Sequence, residues 1–280
     1  MLFDGVLLAS DYDGTLVPSA GRMTPGVERA LRYFTENGGR FTVVTGRIER
    51  AFRPRLPAVV NAPVVLANGA LIYDYGSEHA VYEAGIGDEG VAPLTAAARA
   101  FPGVSFELHL PRMSYVLRPT AETSRHLTGQ GIAYECVSSL ADVPRPWTKA
   151  LLVGSAEEIG GIQRLLASGY PEIAFLPTDG CYLEVLKRGV NKGAALQRLA
   201  ERLRIAPEHV YAVGDGYNDV EMFRAAAASF APENADAAAR AAAGRIVRSN
   251  EDDALAEVVA LLRERYRAGR ADVPPGFDLR

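Results

Sequence analysis

Two stretches of the chain, residues 6–83 and 190–267, alternate short apolar strands with amphipathic helices, and they flank a middle whose strands are half polar. A strand that is apolar on both faces must be covered on both. Alternation with helices supplies that cover, as a parallel sheet with helices on either side. The first stretch reads as strands at 6–10, 41–45, 64–67 and 70–73 with a helix at 25–37. Thr24 and Pro25 open that helix, Asn37-Gly38 stops it, and Asn68-Gly69 reads as a tight turn. The last stretch reads as helix 191–203, strand 209–214, helix 218–227, strand 228–231, helix 235–242, strand 246–249 and helix 253–267. In the middle, neighbouring strands are expected to pair: 104–110 with 113–118, 132–138 with 147–153, and 173–177 with 181–187. Helices at 90–100, 121–129 and 156–168 should cover one face of that sheet. The predicted class is therefore α/β. A doubly wound parallel-sheet core domain, 1–83 and 188–280, carries an inserted α+β domain, 84–187, and the tail ADVPPGFDLR reads as a loosely held end.

A chain of 280 residues with 48% hydrophobic and 23% charged residues can bury two such cores. Its formal charge of -4 argues against nucleic acid as a partner, and the arginines of RERYRAGR suit the end of a helix. No apolar run approaches a membrane span, and Asp4 and Asp11 interrupt any leader pattern, so a soluble cytoplasmic protein is expected. Cys136 and Cys181 are too few for a disulfide or zinc framework and read as small core residues. Only three of the 30 basic residues are lysine: Lys149, Lys187 and Lys192. A lysine that survives in so arginine-rich a chain points to a place that needs a compact ammonium.

Four polar groups gather where such a sheet binds its ligand, at the carboxyl ends of its strands. They are DYDGT at 11–15, TGR at 45–47, NKG at 191–193 and GDGYND at 214–219. Each alone is an ordinary turn, loop or helix start. In this order and at these strand ends the set resembles the haloacid dehalogenase (HAD) superfamily, specifically its Cof-type phosphatases with a large cap inserted after the third strand. Asp11-Tyr12-Asp13-Gly14-Thr15-Leu16 is similar to the first family motif, Thr45-Gly46-Arg47 to the second, Lys192 to the third and Gly214–Asp219 to the fourth. The resemblance runs from about residue 5 to 265 and implies a HAD-like, Rossmannoid core with 84–187 as a specificity cap.

The chemistry accounts for the residue types. A carboxylate can attack phosphorus and divide one hard step into two, which suits Asp11. Repulsion between two anions amounts to ~4 kcal/mol per charge pair at 4 Å and an effective dielectric of 20, so cations must offset it. Magnesium suits a carboxylate and phosphate site, held by Asp11 and Asp215, with the Asp13 carbonyl added by resemblance. Lys192 brings a second cation, and Thr45 and Gly46 offer a hydroxyl and an N–H to phosphate oxygens. Arg47 and Asn218 join the phosphate-binding set by resemblance, and Asp219 braces metal or lysine from behind. Asp13 is then the acid for the leaving alkoxide and the base for the later water.

GIGDEG at 85–90 fits a dinucleotide-binding fingerprint, but its preceding strand is half polar and Asp88-Glu89 would face a pyrophosphate. A glycine-rich hinge is the better expectation. ASFAPENA and NEDDALAEV depart from the family pattern without touching the residues that carry chemistry. The expected activity is hydrolysis of a small phosphorylated metabolite, a sugar phosphate, with a hexose phosphomutase and an inactive HAD-fold binding module as the alternatives. Glu107, His109, Arg112, Arg118 and Glu184 read as ordinary surface residues, and monomer and dimer stay equally open.

Overall fold

The computed structural model describes residues 1–167, 169–177 and 180–268. In chain order the elements are β1 (Leu7–Ser10), α1 (Pro25–Glu36), β2 (Arg40–Val43), α2 (Glu49–Phe52), β3 (Val64–Leu66), β4 (Leu71–Asp74), β5 (His79–Glu83) and α3 (Val91–Ala100). There follow β6 (Ser105–His109), β7 (Ser114–Leu117), α4 (Ala121–Gln130), β8 (Tyr134–Val137), β9 (Lys149–Val153), α5 (Ala156–Leu166), β10 (Ile173–Pro177) and β11 (Tyr182–Lys187). The last are α6 (Lys192–Leu203), β12 (Val210–Val213), α7 (Val220–Ala225), β13 (Ala228–Pro232), α8 (Ala237–Ala242), β14 (Arg245–Val247) and α9 (Ala254–Ala268). The tail expected to be loose lies outside the described residues, as do the last two of RERYRAGR.

Contacts divide the chain into two units. The first comprises Met1–Gly46, Leu56–Val81 and the described residues from Asn191 onward; the second comprises Arg47–Arg55 and Tyr82–Val190. The first unit holds a parallel sheet in the order β14-β13-β12-β1-β2, as expected of an α/β core. A bridge between Val44 and Val65 carries it on to β3, which forms an antiparallel hairpin with β4 around the expected Asn-Gly turn. The chain winds outward from β1 in one direction and returns through β12 in the other. The order therefore reverses between β1 and β12, where sheets of this kind leave a crevice at their carboxyl ends. Leu7, Leu8, Ala9, Val210, Tyr211 and Ala212 are buried on both faces of the sheet, which is why these runs carry no alternation. The α1 start is the predicted one: the Thr24 hydroxyl accepts from Val27 N at 3.1 Å.

The second unit is a mixed sheet in the order β10-β11-β9-β6-β7-β8. Two of the three expected pairs form, β6 with β7 and β10 with β11. The third does not: β8 runs parallel to β7, and β9 lies between β6 and β11. Burial explains the exchange. KALLV of β9 is buried throughout and finds partners on both edges only in the centre, whereas β8 is half exposed and suits an edge. One face of this sheet packs Phe106, Leu108, Ala150, Leu152, Leu183 and Val185 into a core with Leu94, Ile159 and Trp147.

Other expectations are corrected here. Cys136 sits on the edge strand β8 and Cys181 in the β10–β11 turn, and both are exposed free thiols rather than core residues. GIGDEG, expected as a hinge, is packed at its start. Ile86 is fully buried and exchanges backbone hydrogen bonds with Trp147 at 2.7 and 2.8 Å, inside the second unit. Glu107, His109 and Glu184 are buried, not surface residues. No described helix is long and apolar enough to cross a membrane.

Candidate active site

Asp11 follows the last residue of β1, where its N–H donates to the Val213 carbonyl of β12 at 2.8 Å. Its carboxylate is nearly buried, at 7% exposure, and accepts from Lys192 Nζ at 2.5 Å. Lys192 opens α6 behind the Asn191 cap, whose side chain accepts from Ala194 N at 2.8 Å. That short capped start carries the ammonium into the interior, where the same Nζ reaches Asp219 Oδ1 at 2.6 Å.

Asp219 is fully buried and fully engaged. Its other oxygen accepts from the backbone N–H groups of Asp215 and Gly216, both at 3.0 Å. It thus holds the loop after β12 in shape, and Gly214 has no side chain because a Cβ there would lie 2.4 Å from the Asp219 carboxyl carbon. Asp215 accepts a hydrogen bond from the Thr15 hydroxyl. Gly14 meets Asp215 just as closely: its φ is +82°, and a Cβ would stand 2.5 Å from Asp215 Oδ2. Glycine is required there twice over, for its backbone and for the carboxylate beside it.

Carboxylate oxygens of Asp11, Asp215 and Asp219 lie within 4.8 Å of one another. Three carboxylates face one ammonium, and the imbalance shows in their proton affinities. Burial, against the pull of Lys192 and with repulsion from Asp219 and Asp215, raises the Asp11 carboxyl well above the usual range. Burial also raises Asp215, against the Thr15 hydrogen bond. Burial alone would depress Lys192, but Asp11 and Asp219 outweigh it and hold the ammonium charged. Lys192 bonds to Asp11 and Asp219 but not to Asp215, so among the described residues three clustered carboxylates share one bonded ammonium. That is the donor set of a hard divalent cation.

Of the other predicted residues, Asp13 is exposed in the loop two residues beyond Asp11, and its backbone bridges to Val17. Thr45 is buried at the end of the strand region after β2, with its N–H on the Val65 carbonyl at 2.9 Å. Gly46 packs against Asn68: a Cβ would lie 3.1 Å from the Asn68 amide nitrogen. Asn218 donates its amide to Asn68 Oδ1 at 3.0 Å. Arg47 falls in the segment that groups with the second unit.

Sequence reasoning missed two residues. Asn68 was read only as half of a turn, yet it is buried and joins two of the motif loops. Asn234, in the segment set aside as a family departure, donates to the Gly14 carbonyl at 2.8 Å and accepts from Asn250 N at 2.9 Å, which ties down the aspartate loop. An asparagine at the end of a core strand was the available signal for Asn68; for Asn234 there was none.

Comparison with known proteins gives the family and the fold. A family profile for haloacid dehalogenase-like hydrolases matches residues 8–259. The pyridoxal phosphate phosphatase YbhA of Escherichia coli is 27% identical over 273 residues, covering 90% of this chain and 97% of its own. A haloacid dehalogenase-like hydrolase from Bacteroides thetaiotaomicron superposes with a TM-score of 0.81 at 25% identity, over 92% of this chain and 99% of its own. A sugar phosphatase of HAD subclass IIB shares the fold with a TM-score of 0.79 at 20% identity, over 91% and 98% of the two chains.

Proposed function

Since the chain belongs to the haloacid dehalogenase-like hydrolases, we propose that it is a magnesium-dependent phosphomonoesterase acting on a small phosphorylated metabolite, a sugar phosphate, through an aspartyl-phosphate on Asp11. The observation that carries this reading is the placement of Lys192 Nζ between Asp11 and Asp219, at 2.5 and 2.6 Å, beside Asp215. A buried lysine locked to a buried carboxylate orients that carboxylate and offsets the charge of an incoming anion.

Asp11 and Asp215, with the carbonyl of Asp13, would hold the magnesium. The metal supplies charge neutralisation that lets a carboxylate approach a phosphate dianion. The remaining work falls to the chain. An Asp11 oxygen forms a bond to phosphorus as the ester oxygen departs, and Asp13 gives that oxygen a proton. Water then attacks the phosphorus, Asp13 takes a proton back, and free phosphate leaves with Asp11 restored. Thr45, Gly46, Arg47 and Asn218 bind the phosphate oxygens, and Asp219 keeps Lys192 and the 214–216 backbone in place. Residues 84–187 act as the cap that selects the substrate. A phosphatase of pyridoxal phosphate and a phosphatase of sugars among the similar proteins support a small phosphorylated substrate.

The test uses two variants and two leaving groups. Asp11→Asn should form no phosphoenzyme with any ester. Asp13→Asn should release a burst of nitrophenol from p-nitrophenyl phosphate and then turn over slowly, because that leaving group needs little protonation while water has lost its base. A burst in Asp11→Asn but not in Asp13→Asn would reverse the two roles. Isomerised sugar phosphate in place of free phosphate would make the enzyme a mutase.

A further inference from the structure

We infer that Asn68 is a positioning residue, which sets the Asn218 amide and the Thr45–Gly46 backbone for a tetrahedral oxyanion such as phosphate. The inference rests on the phosphatase reading for its ligand but on geometry for its residue.

An Asn-Gly turn between two strands is ordinarily an exposed feature that asks nothing of its asparagine. Here Asn68 is only 2% exposed. Ala67, Asn68 and Gly69 all take positive φ, at 49°, 53° and 103°. Two consecutive non-glycine residues in left-handed backbone are disfavoured, so surrounding contacts must hold the turn there.

Those contacts lead to three of the four motif loops. The Asn68 N–H donates to the Thr45 carbonyl at 3.0 Å. Its side-chain oxygen accepts from Asn218 Nδ2 at 3.0 Å. Its amide is the group that a Cβ on Gly46 would press against, at 3.1 Å. On the far side of the turn, a Cβ on Gly69 would come within 2.4 Å of the carbonyl of Asn191, the cap of the helix that begins with Lys192. The left-handed turn is therefore what lets one buried amide reach the second and fourth loops while the next residue lies flat against the third. An Asn side chain has two N–H groups in one plane, so spending one on Asn68 fixes the direction of the other at Asn218. A turn that served the hairpin alone would need none of this.

The test measures inorganic phosphate binding to the magnesium-loaded protein by calorimetry, for the native chain, Asn68→Gly, Asn218→Ala and the double variant. Glycine suits the left-handed backbone, so Asn68→Gly removes the amide without adding strain. Each single variant should bind phosphate about tenfold more weakly, and the double variant no more weakly than the worse single, because Asn68 acts through Asn218. Native affinity in Asn68→Gly, or losses that multiply to about a hundredfold in the double variant, would overturn the inference. Should Asn68→Gly fail to fold, the native protein decides by amide resonances. Those of the Asn218 side chain and the Gly46 backbone should shift together on phosphate titration, and no shift would sink the idea. Phosphate binding is read without turnover, so failure to hydrolyse p-nitrophenyl phosphate would defeat the phosphatase reading separately.

Discussion

Lysine is spent sparingly in this chain, and two of its three lysines are buried in ion pairs. Lys192 lies between Asp11 and Asp219, and Lys149 meets Glu184 at 2.6 Å, while Lys187 is exposed. At Lys192 the room is for a tetrahedral ammonium that makes two bonds in different directions, which a planar guanidinium cannot copy. Lys192→Arg should therefore lower turnover by two or more orders of magnitude, about 3 kcal/mol, in steady-state kinetics. Near-native turnover would reduce Lys192 to a helix-start residue. Gly14 gives an independent check on the metal. A methyl group there would collide with Asp215 and strain the backbone at φ +82°. Gly14→Ala should weaken magnesium binding at least tenfold by calorimetric titration, comparable to one lost ligand, and Asp215→Asn should do the same. Unchanged magnesium affinity in both would remove Asp215 from the metal site.

The second unit's sheet shows how an element can be apolar on one face and still bury charge on the other. Phe106 and Leu108 of β6 point into its core, while Glu107 and His109 alternate to the opposite side. There Glu107 accepts from His126 Nδ1 at 3.1 Å and lies 3.3 Å from His109 Nε2, whose Nδ1 shares a hydrogen bond of 2.8 Å with Ser114. Arg50 of α2 reaches Ser114 from beyond, at 2.8 Å. Burial, only partly opposed by Glu107, lowers the His109 pKa below 6.5, so the unfolded chain takes up a proton that the folded one refuses. Stability then rises with pH in that range and is lost as pH falls below 6.5. Burial would raise Glu107, but the nearby His109 ring and the hydrogen bonds from His126 outweigh it and leave it lowered, which adds a further loss below 4.5. Protection factors of the β6 and β7 amides, taken relative to the intrinsic exchange rate at each pH, should accordingly fall as pH drops below 6.5, and His109→Gln should flatten that part of the profile. An equal slope in the variant would assign the pH dependence elsewhere.

At the scale of the whole chain, the proposed division of labour between core and insert predicts different fates for the two reactions an ester can report. Deleting 84–187 and closing the gap with a short linker should leave slow hydrolysis of p-nitrophenyl phosphate, because Asp11, Lys192, Asp215 and Asp219 all lie in the first unit. Discrimination among sugar phosphates should disappear. If the truncated protein kept its native ranking of substrates, the specificity role of the insert would fall. The segment Arg47–Arg55 complicates the cut, since Arg50 takes its partners Ser114 and Ala133 from the deleted residues. A second truncation with Arg50→Ser should be the better folded of the two in thermal denaturation.

Much of this was legible without coordinates, and the reason is locality. Helix caps, apolar runs and glycine turns act over a few residues, so the helix from Thr24, the parallel strands and the turn at Asn68-Gly69 could be read in order. That Asp11 and Asp215 would come together was legible because each follows a strand of one parallel sheet, and Lys192 joins them from a helix start that the sequence also marked. What depended on residues distant in sequence was not legible. The place of β9 was decided by competition for the two edges of a central strand, the burial of Glu107 and Glu184 by partners 19 and 35 residues away, and the exposure of both cysteines by an edge and a turn. The role of Asn68 was hidden for the same reason: its partner Asn218 stands 150 residues on, and only folding brings the two amides within a hydrogen bond.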